Sequence, residues 1–122
     1  ISGHKGRWDD GRTVHKAAEF NNPLIARQVR ASSGSLPRVF SFLNVEPDNA
    51  LLSSMYPLDG GVNLRFVEAY GRECDLAVRL GMPVKKAELV DLDGGLIREA
   101  GPEGGVLTCK ASPWKIINIR VV

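Results

Sequence analysis

From residue 62 onward, apolar and polar side chains alternate along short extended runs. In Val62-Asn63-Leu64-Arg65-Phe66 the apolar side chains fall on one face and the polar ones on the other. Leu76, Val78 and Leu80 stand opposite Asp75, Ala77 and Arg79, and Ile117, Ile119 and Val121 stand opposite Asn118 and Arg120. Successive side chains of a strand point to opposite faces, so period two with one polar face predicts antiparallel strands half-open to water. Eight such runs are expected: 38–45, 50–56, 62–70, 73–80, 87–92, 95–98, 106–110 and 114–122. Between them lie Glu46-Pro47-Asp48-Asn49, Asp59-Gly60-Gly61, Gly71-Arg72, Met82-Pro83, Asp93-Gly94-Gly95 and Pro102-Glu103-Gly104-Gly105. Gly and Asn tolerate positive φ and Pro fixes φ, which suits these clusters to turns. Short strands about ten residues apart predict an all-β antiparallel sandwich, Ig-like and two-layered. Tyr70-Gly71-Arg72-Glu73 reads as a tight hairpin joining two of the strongest strands.

The first 35 residues differ in character. Residues 1–12 are polar and Gly-rich around Trp8. Val14, Ala17 and Ala18 recur at helical spacing, which predicts one short helix over 11–20. Asp9 or Asp10 is its expected N-cap, because a short carboxylate accepts from the orphan amides of a first turn. Asn21-Asn22-Pro23 ends it, since proline disfavours the α region in the residue before it. Leu24 to Arg30 reads as extended, and Ala31-Ser32-Ser33-Gly34-Ser35 as a loop of small residues.

At 122 residues the chain suffices for one domain. A chain of that length buries roughly two-thirds of its surface on folding and needs no disulfide or metal staple. Its net charge is +2, with 16 basic and 14 acidic residues interspersed. No block of like charge offers itself to nucleic acid or anionic lipid, and no apolar run is long enough to span a membrane. The first residues do not read as a signal peptide and lack an initiator Met, so the chain is expected to be a piece of something longer. Cys74 and Cys109 are not at metal-ligand spacing; they could bridge two strands as a disulfide, but the preferred reading is two buried, reduced thiols, which favours a reducing compartment.

Reactive constellations are few. His4, Asp9, Asp10 and His15 are all competent metal ligands, yet neither histidine has a His or Cys neighbour at ligand spacing. They read as a loop histidine, two capping carboxylates and a histidine on the helix surface. Asp91 and Asp93 are next-but-one, so they would point the same way rather than face each other across a cleft as glycoside chemistry requires. They read as a solvated strand end before a turn. No Ser lies in a G-x-S-x-G elbow, and Pro102-Glu103-Gly104-Gly105 lacks the lysine of a phosphate loop. Trp8, Tyr56, Tyr70 and Trp114 could stack on a sugar, but aromatics of a small sandwich more often fill its core or rim. Arg65 and Glu68 read as solvated charges paired across the strand face. The residues alone therefore assign no catalytic, substrate-binding or metal site.

Several segments, in order, resemble the C-terminal region of glycoside hydrolase family 38 α-mannosidases, most closely the cytosolic and bacterial branch. They are His4-Lys5-Gly6-Arg7-Trp8, Val14 to Ala18, and Phe20-Asn21-Asn22-Pro23-Leu24. Ser41-Phe42, Val45 to Leu52, Leu64 to Arg72, Ala87 to Leu92 and Ser112-Pro113-Trp114-Lys115-Ile116 continue the series. Val67 departs from the family, which often has Tyr there. The resemblance implies that residues 1–30 end the parent's large β-domain and that residues 36–122 form its terminal antiparallel sandwich. It implies a cytoplasmic, zinc-dependent retaining glycosidase acting on α-mannosides. Zinc and the catalytic aspartates would lie in an N-terminal domain whose motifs are absent from this sequence. The implied partners are that catalytic domain and, through it, a mannose-containing oligosaccharide, with neither nucleic acid nor membrane. The implied role is to buttress the catalytic domain. The alternatives are a free-standing carbohydrate-binding sandwich or a homo-oligomerisation module. A piece cut from a larger enzyme should bare apolar surface near Trp8, the helix and Leu24-Ile25.

Overall fold

Local chemistry near the N-terminus builds one helix, α1 (Thr13–Asn21), and the computed structural model describes residues 2–31 and 33–122. Ile1, and Ser32 within the expected small-residue loop, lie outside the described residues. Two compact units divide the chain, Ile1–Val39 and Phe40–Val122.

In the first unit the helix starts two residues later than its pattern predicts, and neither aspartate caps it. Its N-cap is Arg12, in the left-handed region at φ 49°, with no side-chain cap hydrogen bond. Asp10 Oδ2 accepts from the Arg7 main-chain N–H at 3.0 Å, and Asp9 pairs with Arg7 Nε at 3.3 Å, so both carboxylates are committed to the preceding loop. Thr13 Oγ1 donates to the Trp8 carbonyl at 2.8 Å and tethers the first turn to that loop. At the other end the Asn22 main-chain and side-chain N–H groups both donate to the Ala18 carbonyl at 2.9 Å. No residue of α1 is buried. Leu24 to Arg30 joins no strand.

The second unit contains all eight expected strands: β1 (Leu43–Glu46), β2 (Ala50–Leu58), β3 (Gly61–Glu68), β4 (Cys74–Leu80), β5 (Ala87–Val90), β6 (Leu96–Glu99), β7 (Val106–Ala111) and β8 (Ile116–Val121). They form two antiparallel sheets, one ordered β1-β4-β7 and one ordered β2-β3-β8-β5-β6. The turn after β2 is a two-residue hairpin in which Asp59 and Gly60 both take positive φ, 48° and 77°, as a turn matching the strand twist demands.

The expected Tyr70–Glu73 hairpin is not one. β3 lies in the five-stranded sheet and β4 in the three-stranded sheet, so the chain crosses between layers there. Good alternation on both sides of a Gly-containing turn identifies two strands but not whether they pair.

The inward faces interleave as the alternation predicts. Leu64, Phe66, Ile117 and Ile119 of the larger sheet meet Leu76, Val78, Leu107 and Ala111 of the smaller one. The result is an all-β antiparallel sandwich with one short helix. Phe66 is wholly buried, and burying such a side chain contributes about 1.5–3 kcal/mol. The outer face of the five-stranded sheet departs from expectation. Asn63 and Asn118, on the polar side of β3 and β8, are 0% and 3% exposed rather than solvated.

Candidate binding face and Trp114 clasp

Strand register sets the polar residues of the outer face in two rungs. Ser54, Arg65 and Asn118 are opposite one another across β2, β3 and β8. One step along, Tyr56, Asn63, Arg120, Glu88 and Glu99 run across all five strands. Side chains directly opposite on adjacent strands are close enough to pair.

On the second rung Arg120 meets two carboxylates. Its Nη2 and Nε donate to Glu88 Oε2 at 2.6 and 2.9 Å, and its Nη1 donates to Asp59 Oδ2 at 3.0 Å. Lys86 Nζ binds the other oxygen of Glu88. Lys86 and then Arg120 hold the Glu88 carboxyl below its ordinary value.

On the first rung Arg65 has neutral partners. Its Nε donates to Asn118 Oδ1 at 2.9 Å, and its Nη2 donates to the Tyr56 hydroxyl at 2.9 Å. The guanidinium carbon lies 5.4 Å from the Tyr56 ring centre, within cation–π range. Asn63 Nδ2 donates to the same Asn118 oxygen at 3.3 Å, and Asn118 Nδ2 donates to the Asp91 carbonyl at 3.1 Å. Ser54 Oγ and Asn63 Oδ1 are buried without a hydrogen-bond partner.

Glu68, at the end of β3, lies on the inward face instead and is fully buried. Its Oε1 accepts from the Tyr70 N–H at 2.9 Å and from Asn49 Nδ2 at 3.0 Å. Its Oε2 accepts from the N–H groups of Gly71 and Trp114, both at 2.8 Å. Burial pushes this carboxyl up, but the Trp114 and Tyr70 amides, Asn49 and the Arg72 backbone outweigh that and hold it below its ordinary value. Three loops thus converge on one carboxylate, at the point where the chain passes from one layer to the other.

The clasp fixes Trp114 in the left-handed region at φ 60°, an outlier for a bulky residue. Its indole covers Gly71, where an added Cβ would lie 2.7 Å from the ring. The residue as a whole is still 62% exposed. It borders a groove of about 310 Å³ shared with Asp91, Leu92, Ile97, Lys115, Ile116 and Asn118.

The other sequence candidates have structural duties. Asp91 Oδ1 accepts from the N–H groups of Asp93 at 3.0 Å and Gly95 at 2.7 Å, which closes the turn after β5. Among the described residues no three His, Cys, Asp or Glu side chains gather as a metal-binding group, so His4, Asp9, Asp10 and His15 do not form one. Trp8 belongs to the first unit, while Tyr56, Tyr70 and Trp114 belong to the second. Cys109 is buried, Cys74 is half-buried, and both thiols are free.

Glu68, read as a solvated charge, is buried, and so is Glu88, which the sequence did not single out. Each is saturated with donors that favour its ionised form, so neither is poised to donate a proton. The Glu68 clasp was signalled in the sequence only by a charged residue ending an apolar strand before a Gly turn. No family model, curated protein or solved structure matches this chain.

Proposed function

We propose that this chain is the non-catalytic C-terminal region of a zinc-dependent, retaining α-mannosidase of glycoside hydrolase family 38, and that its sandwich buttresses the catalytic domain. The reading rests on the order of the family-like segments and on one observation. In the first unit Phe20 is 85% exposed, Leu24 103% and Ile25 84%, three large apolar side chains within six residues of chain. Exposed large apolar side chains close together in the chain are what an interface with a neighbouring domain requires. The buried acids are consistent with a bracing role, since both are locked in internal hydrogen bonds. Zinc, in this reading, belongs to the catalytic domain. The free thiols fit a cytoplasmic location. No helix among the described residues is long and apolar enough to cross a membrane.

The coding sequence upstream of Ile1 tests this directly. The expected result is a long preceding region with a His-x-Asp metal motif near its start. The encoded protein should hydrolyse p-nitrophenyl α-mannoside only with zinc, and the 122-residue chain should not. Cleavage by the short chain itself, or an upstream region lacking the motif, overturns the reading.

A second reading, a carbohydrate-binding sandwich, draws on the exposed Trp114 beside a groove. It predicts saturable quenching of Trp114 fluorescence by α-mannobiose. The buttress reading predicts none.

A further inference from the structure

The sixteen cationic side chains of the chain include only two that are not exposed, Arg65 and Arg120. Arg120 is neutralised by Glu88 and Asp59. Arg65 sits one rung away on the same sheet face, is half-buried, and has no carboxylate partner among the described residues. Removing a cation from water without a counter-charge is unfavourable, and proteins normally relieve the cost by pairing or exposure.

Arg65 is also held in place. Asn118 fixes its Nε, the Tyr56 hydroxyl fixes Nη2, and the Tyr56 ring lies against the guanidinium. Both N–H groups of Nη1 and one of Nη2 lack a protein acceptor, and Nη1 remains open to solvent, where a ligand can reach it. Ser54, directly opposite on β2, carries a buried hydroxyl without a partner, a further available donor. A planar donor fork that is pre-oriented and short of acceptors matches the geometry of a carboxylate.

We propose that Arg65 is the docking point for a carboxylate carried by another polypeptide segment, an Asp or Glu side chain lying outside these 122 residues. Charge selects the occupant. A phosphate dianion calls for a second cation, and Arg120, one rung away on the same face, is already consumed by two carboxylates. A neutral sugar would leave the cation uncompensated. A single carboxylate balances a single guanidinium, and a polypeptide segment laid across the sheet would shield the pair from solvent. The proposal stands whether or not the chain belongs to an α-mannosidase.

The test uses the 122-residue chain labelled with ¹⁵N, with the Arg65 Nε–H signal assigned by its loss in R65K. At constant ionic strength the chain is titrated with acetyl-Gly-Glu-Gly-amide and with the matching Gln peptide. The expected result is a saturable shift of the Arg65 signal by the Glu peptide, with affinity at least about fivefold above that of the Gln peptide. Inorganic phosphate and methyl α-mannoside should bind more weakly than the Glu peptide. Equal responses to the two peptides, a shift that tracks sodium chloride alone, or stronger binding of phosphate or the mannoside overturns it. The peptide comparison is made on the unaltered chain, so a poorly folded variant does not spoil it.

Discussion

The buried carboxylate of Glu68 accepts a 2.8 Å hydrogen bond from the main-chain N–H of Trp114, 46 residues further along the chain. That bond joins the end of β3 to the turn before β8, and with the Tyr70, Gly71 and Asn49 contacts it gathers three loops at one end of the sandwich. Asn49 Nδ2 also donates to the Arg72 carbonyl at 3.0 Å, which closes the knot.

Substituting Glu68 by Gln puts an amide NH₂ where one oxygen accepts two N–H groups. Leaving buried donors unsatisfied costs about 1–3 kcal/mol each, so E68Q should lower the unfolding free energy by about 2–4 kcal/mol. Urea denaturation followed by circular dichroism measures it. In a W8F background the Trp114 emission should also redden as the ring loses its fixed seat. An unchanged urea midpoint would show that the clasp contributes nothing to the fold.

The same carboxylate makes stability depend on acid. Its folded value is held below the ordinary 4.5. The native state therefore resists protonation more than the unfolded chain does, and Glu68 contributes fully at pH above that ordinary value. The contribution is lost as pH falls through the folded value. Glu88, also lowered, acts in the same direction. Unfolding free energies measured from pH 6 downward should fall for the wild type and fall less steeply for E68Q.

Gly71 and Gly60 separate backbone strain from ring packing. Both have positive φ, 70° and 77°, but an added Cβ meets the Trp114 ring at Gly71 and nothing within 4 Å at Gly60. G60A should cost about 1–2 kcal/mol for the left-handed conformation alone. G71A should cost more than G60A and should alter Trp114 fluorescence in the W8F background. Equal losses in the two variants would remove the ring from the account.

The two thiols should differ in reactivity. Burial pushes both up and suppresses the reactive thiolate. Cys109 is only 7% exposed, whereas Cys74 is half-buried at the start of β4. A disulfide reagent should label Cys74 first, and Cys109 only as the sandwich opens. Mass spectrometry of the partly labelled chain distinguishes the order.

Strand positions were legible because alternation in Leu76–Leu80 and Ile117–Val121 reports a local property, the side to which each residue points. The Asp59-Gly60 turn was legible for the same reason, since φ is a property of the residue itself. The helix was found but its start was misread, because Asp9 and Asp10 bond to the preceding loop instead of capping it. The binding face was not legible. Arg65 and Glu68 look alike as charges on one strand, yet Glu68 points inward to a cage of amides and Arg65 outward to Asn118 and Tyr56.

Sequence by itself determined that this chain makes eight antiparallel strands, which side chains share a face, and where the turns fall, because backbone geometry ties those features to neighbouring residues. Which strands pair, that β3 hands over to the opposite layer, and that the polar face encloses Asn63 and Asn118 were decided only in the tertiary structure. Those outcomes depend on contacts between residues far apart in the chain, such as Arg65 with Asn118 and Glu68 with Trp114. No local pattern encodes the free energy of such contacts, since each partner's burial exists only after the other has arrived.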